Sequence, residues 1–135
     1  MYCDSVNMAM DKRILLLDSD QDVLIGLERV LENEGMRTTV TWHQHEAMKL
    51  LSSDSIEVVV VGHHPPEINA ADVLMVTEPG KKKPCVVLHT NPRHPFEADY
   101  LRSLGAEAVL EKWQEKEITA KLKAIMEERR LPQAG

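Results

Sequence analysis

Short runs that are apolar at nearly every position alternate along this chain with longer stretches in which apolar residues recur every three or four. "RILLLD" (Arg13 to Asp18) is the first run, of strand length, and "DQDVLIGLERVLENEG" follows with Val23, Leu24, Leu27, Val30 and Leu31 at helical spacing. Asp20 and Asp22 stand where carboxylates cap a helix and favour its positive end, and Gly35 is placed to stop it. "MRTTVTW" (Met36 to Trp42) is rich in β-formers, "HEAMKLL" (His45 to Leu51) reads as helix, and "IEVVVV" (Ile56 to Val61) is a second continuous apolar strand. A helix over Ile68 to Val76 leads through Gly80 and three lysines, expected to be a solvated loop, to the strand "CVVLH" (Cys85 to His89). "FEADYLRSLG" (Phe96 to Gly105) predicts a helix, "AEAVL" (Ala106 to Leu110) a strand, and Glu115 to Arg130 a last helix with Ile118, Leu122, Ile125 and Met126 on one face.

Five strands alternating with five helices predict an α/β fold, because strands apolar throughout need cover on both faces and a parallel sheet between two helical layers provides it. In such sheets a ligand site lies beyond the carboxyl ends of the strands, near the point where strand order reverses. Position 62 is therefore the informative one: the run Val58 to Val61 ends in "GHHPP", with glycine where a carboxylate, serine or cysteine would carry chemistry.

Composition narrows the reading. The 135 residues suit one domain, expected over 12–131 between tails at 1–11 and 132–135, with no repeat, linker or room for an effector domain. Sixteen Lys and Arg against 22 Asp and Glu leave a net charge of −6 without a basic stripe, which disfavours nucleic acid and anionic membrane surfaces. No segment approaches the length of apolar chain a membrane span needs, and two cysteines that form neither a CxxC motif nor a disulfide framework suit a reducing cytoplasm, with Cys85 read as a buried small hydrophobe.

With these residues in view, the chain resembles the receiver domain of bacterial response regulators across roughly residues 12 to 130. "RILLLDSDQDVLIGLERVLENEG" is similar to the family's first strand and helix, "IEVVVVGHHPP" to its phosphoacceptor strand, and "LGAEAVLEKW" to the fifth strand ending in the family's lysine. The resemblance implies a CheY-like, flavodoxin-like doubly wound five-stranded sheet in the order 2-1-3-4-5 with five helices, and a place in two-component signal transduction and its phosphorelays. Carried over by residue, the acidic pair that holds magnesium falls on Asp18 and Ser19, and the phosphoacceptor aspartate on Gly62. The switch hydroxyl falls on His89 when counted from Pro84 and on Thr90 when counted from Gly105. The lysine falls on Lys112, followed by Trp113 instead of proline, and the aromatic switch position on Val109.

Phosphoryl transfer to a carboxylate needs the nucleophile, a metal and fixed donors, and Gly62 supplies no nucleophile. The expectation is a stand-alone pseudo-receiver: a non-enzyme without cofactor, acting through protein partners of a two-component pathway, for which a homodimer is one possible form. Tyr100, Val109 and Trp113 are the expected docking residues. Asp18 is read as a relic, a helix cap or a weak cation ligand, and Lys112 as able to pair with it in place of a phosphoryl group. The alternative is a small-ligand, metal or pH sensor that reuses the vacated pocket. Its support is six histidines just after strand ends (His43, His45, His63, His64, His89, His94), with Asp18, His63 and His89 as the metal candidates.

Overall fold

The computed structural model describes residues 13–53, 55–77, 83–89 and 95–130. They form β1 (Arg13–Leu17), α1 (Gln21–Asn33), β2 (Arg37–Thr41), α2 (Gln44–Leu50), β3 (Ile56–Gly62), α3 (Ala70–Thr77), β4 (Cys85–His89), α4 (Pro95–Ser103), β5 (Ala108–Glu111) and α5 (Glu115–Arg130). All strand pairs are parallel and the sheet order is β2-β1-β3-β4-β5.

The unbroken apolar strands are explained by two cores, one on each face, fed by alternate residues. Leu15, Leu17, Val59, Val61, Cys85 and Val87 pack with Ala47 of α2, Val73 and Leu74 of α3 and Leu101 of α4. Ile14, Leu16, Val58, Val60, Val86 and Leu88 pack on the other face with Leu24, Leu27 and Leu31 of α1 and with Ile118 and Leu122 of α5. Burial pushes the Cys85 thiol up to about 12, so it packs as a hydrophobe and presents no thiolate. Among the described residues no helix is long and apolar enough to cross a membrane.

Element ends follow local hydrogen bonding. Asp20 caps α1, its side chain accepting the Asp22 and Val23 N–H groups. Helices α1 and α4 stop where Gly35 and Gly105 take φ of +85° and +110°, a region open to glycine at little cost. In both turns the next residue reaches back, Met36 N–H to the Leu31 carbonyl and Ala106 N–H to that of Leu101. That reversal ends α4 at Ser103 and delays β5 to Ala108, two residues later than the apolar pattern alone suggests. Helix α3 begins at Ala70, not Ile68, because Asn69 accepts the Ala71 N–H while Ile68 exchanges backbone hydrogen bonds with His64. Of the lysine run, Lys81 and Lys82 lie outside the described residues. Lys83 departs from the expected solvated loop: its ammonium donates to the carbonyls of Leu51 and Ser53 at 2.6 and 2.7 Å, closing the end of α2.

Candidate functional site

Strand register brings the first two residues of the site together. Leu17 pairs with Val61, so the next residues along β1 and β3, Asp18 and Gly62, sit side by side. Gly62 pairs with Leu88, and His89 with Glu111, which sets Lys112 one residue beyond β5 on the same edge of the sheet. The Lys112 N–H donates to the His89 carbonyl at 3.1 Å and fixes the start of the following turn.

From there the Lys112 side chain reaches back over the sheet, and its Nζ donates to Asp18 Oδ1 at 2.9 Å. Both residues are buried, Asp18 at 2% exposure and Lys112 at 8%. Asp18 Oδ1 also accepts the Asp20 N–H at 2.9 Å. Asp18 Oδ2 is buried and has no hydrogen-bond partner among the described residues. Its position is informative: a Cβ built on Gly62 would fall 2.5 Å from Asp18 Cγ and closer still to Oδ2. The carboxylate of β1 thus occupies the space that a side chain on β3 would need. Ser19 beside it is half-buried, and Thr90 lies outside the described residues, which leaves His89 and Thr90 both open as the match to the switch hydroxyl.

The described histidines do not gather. His63 is buried at 8% exposure; its Nδ1 accepts the Ala70 N–H at 3.0 Å, and its Nε2 lies 3.4 Å from Glu97 Oε2 on α4. That tautomer ties the end of β3 to α3 and α4. His64 faces Glu67, His43 packs against Trp42 with ring centroids 5.6 Å apart, and His45 is exposed on α2. His94 lies outside the described residues. Among those described, no group of three or more His, Cys, Asp or Glu is placed to hold a metal, so Asp18, His63 and His89 do not form a shared site. Glu97 was not legible as a partner of His63, because the pairing crosses from β3 to α4 and no spacing records it.

The expected docking face also divides. Val109 is buried at 8% exposure in the core beneath α2, α3 and α4, so it presents nothing to a partner, and its assignment to a docking surface is corrected. Tyr100 and Trp113 are exposed, at 56% and 59%. Tyr100 is on α4, whereas Trp113 borders a cleft of about 330 Å³ against the start of α1, floored by Val23 and Leu27 and rimmed by Asp20, Asp22 and Glu115.

The magnesium ion that a receiver pocket implies does not fit these residues. A hard divalent cation asks for several oxygen ligands in octahedral geometry. Here Asp18 Oδ1 is taken by Lys112, Asp20 Oδ1 is taken by the α1 cap, position 62 offers no carboxylate, and the Lys112 ammonium is already in contact with Asp18, so that the unpartnered Asp18 Oδ2 is a single oxygen beside a cation and not an octahedral set.

Five parallel strands in this order, with α1 and α5 on one face and α2, α3 and α4 on the other, make the CheY-like, flavodoxin-like receiver fold. The solved receiver domain of Francisella response regulator 1452 superposes with a TM-score of 0.77 at 16% identity, over 87% of this chain and 98% of that one. A response regulator receiver domain from Clostridium thermocellum gives 0.78 at 17% identity, over 88% and 97%. The orphan response regulator HP1043 of H. pylori gives 0.74 at 20%, over 85% and 96%. In sequence, the transcriptional regulatory protein CpxR of Escherichia coli (strain K12) is 29% identical over 115 residues, 84% of this chain and 49% of that protein. Response regulator SaeR of Staphylococcus epidermidis is 26% identical over 99 residues, 73% and 43%. No family model matches the chain. The solved structures show the fold, and the curated relatives that the chain resembles in sequence are response regulators; the chain spans about half the length of those relatives.

Proposed function

We propose that the chain is a pseudo-receiver, a cytoplasmic signalling module that acts by binding protein partners of a two-component pathway and is neither an enzyme nor switched by aspartyl phosphorylation. One observation carries this reading: the residue that ends β3 is Gly62, and the carboxylate of Asp18, paired with Lys112, fills the space beside it. Without a nucleophile at that position, and with the neighbouring carboxylate committed to a lysine, the transfer of a phosphoryl group has no acceptor there.

Partner binding then depends on surface that does not change state. The cleft beside Trp113 suits it: an exposed indole and an apolar floor offer an anchor site, and the carboxylates of Asp22 and Glu115 favour a basic partner segment. Capture from lysate of the native cell on immobilised wild-type, Trp113→Ala and Glu115→Lys chains tests this. The wild type is expected to retain the same partner with or without acetyl phosphate, and both variants to lose it. Retention by both variants, or capture that requires acetyl phosphate, would contradict the reading.

A further inference from the structure

His63 is the one buried histidine among the described residues, and its contacts fix where its proton sits. The Ala70 N–H can only donate, and it points at Nδ1 from 3.0 Å. Nδ1 therefore holds a lone pair, and the neutral ring carries its proton on Nε2, which faces Glu97 Oε2 on α4. The bond to Ala70 is buried and helps to turn the chain from the end of β3 into α3. The backbone pairing of His64 with Ile68 and the Asn69 N–H donating to Gln44 Oε1 serve the same turn. Those two contacts involve no group that titrates near neutral pH, whereas imidazole is the side chain that ordinarily changes charge between about pH 5 and 8.

We propose that His63 is an acid-sensitive latch: neutral, it holds the start of α3, and protonated, it releases Ala70 and keeps Glu97 of α4. A proton taken from solvent onto Nδ1 sets two N–H donors against each other, and that contact cannot stand at 3.0 Å. The imidazolium then turns to the Glu97 carboxylate, which is half exposed and open to water. A half-exposed ion pair returns less than a buried N–H loses with its acceptor, so the protonated state is the looser one at α3. The other carboxylates on the surrounding elements have partners of their own: Asp18 after β1 with Lys112, Glu67 with His64, Asp72 of α3 with Gln44, and Asp99 of α4 with Arg102. His89, at the end of β4, is a second imidazole on this edge of the sheet and is followed separately in the titration. The latch goes beyond the pseudo-receiver reading and shares no residue with it.

Nuclear magnetic resonance on the full chain tests this, following the His63 ring and backbone amide hydrogen exchange together from about pH 8 to about pH 5. The control is His63→Asn, whose side-chain oxygen stands close to the place of Nδ1, accepts the same N–H and does not titrate. The exchange rate of the Ala70 amide, divided by its rate in His63→Asn at the same pH, is expected to be near one at the alkaline end. It is expected to rise about tenfold as the ring gains its proton, the scale of losing one buried hydrogen bond, and with the same midpoint as the ring. The Val60 amide, in the middle of β3, is expected to keep a ratio near one throughout, which separates local release from general loosening. Should His63→Asn fail to fold, the Ala70 rate of the wild type is compared with that of its own Val60. Glu97→Gln is expected to move the ring's midpoint to lower pH, because the imidazolium loses the carboxylate it turns to. A flat Ala70 ratio while His63 titrates, an equal rise at Val60, a ring that stays neutral to about pH 5, or a midpoint unmoved by Glu97→Gln would each overturn the proposal. Phosphorylation of the wild type, or its failure, bears on the pseudo-receiver reading and leaves this titration unchanged.

Discussion

Replacing Lys112 with methionine is expected to cost the folded state about 3–5 kcal/mol, the range for removing one partner of a buried ion pair and leaving the other charge uncompensated. The residue left behind is Asp18, at 2% exposure, whose Oδ1 would keep only the Asp20 N–H. Methionine retains most of the lysine's volume, so the loss reports charge and hydrogen bonding in place of a cavity. The partner experiment separates the two causes further. Adding Asp18→Leu to Lys112→Met removes both charges, and buried pairs replaced by apolar residues of similar volume are often neutral or better. Most of the single-variant loss should then return, as read from urea unfolding with an unchanged slope. A Lys112→Met chain within about 0.5 kcal/mol of the wild type, the scale of ordinary surface substitutions, would mean that the pair is solvated.

The second large effect lies in the core under α1 and α5. Leu122 is fully buried in the middle of α5, in the cluster that also holds Leu24, Leu27 and Leu31 of α1. Leu122→Ala is expected to cost about 2–5 kcal/mol, the lost transfer energy plus that of the cavity left behind. Met75 on α3 is 64% exposed, and Met75→Ala should stay within about 0.5 kcal/mol. Chemical denaturation of the two variants side by side tests whether the two-core layout sets the stability.

How much of this was legible in the sequence can be judged from single residues. The strands were legible because Val58 to Val61 and Leu15 to Leu17 are apolar on both sides, a pattern that the two cores directly explain. Asp20 as a cap and Gly35 as a stop were legible because capping and positive φ depend on residue type within one turn. Asp18 with Lys112 was open as a pair only through the resemblance, since 94 residues of chain separate them and register brings them together. Val109 was misplaced for a physical reason. "AVL" is apolar on both faces of β5, so nothing local says which face each residue takes, and the pleat turns Val109 inward. Lys83 and Glu97 were hidden because their partners, the end of α2 and His63, come from other elements.

Intact-mass analysis of the wild-type chain after incubation with acetyl phosphate and magnesium tests the central claim most directly. The account predicts an unmodified mass, because Gly62 has no group to attack phosphorus and Asp18 is held by Lys112. A stoichiometric gain of one phosphoryl group, lost again in base as an acyl phosphate is, would contradict it.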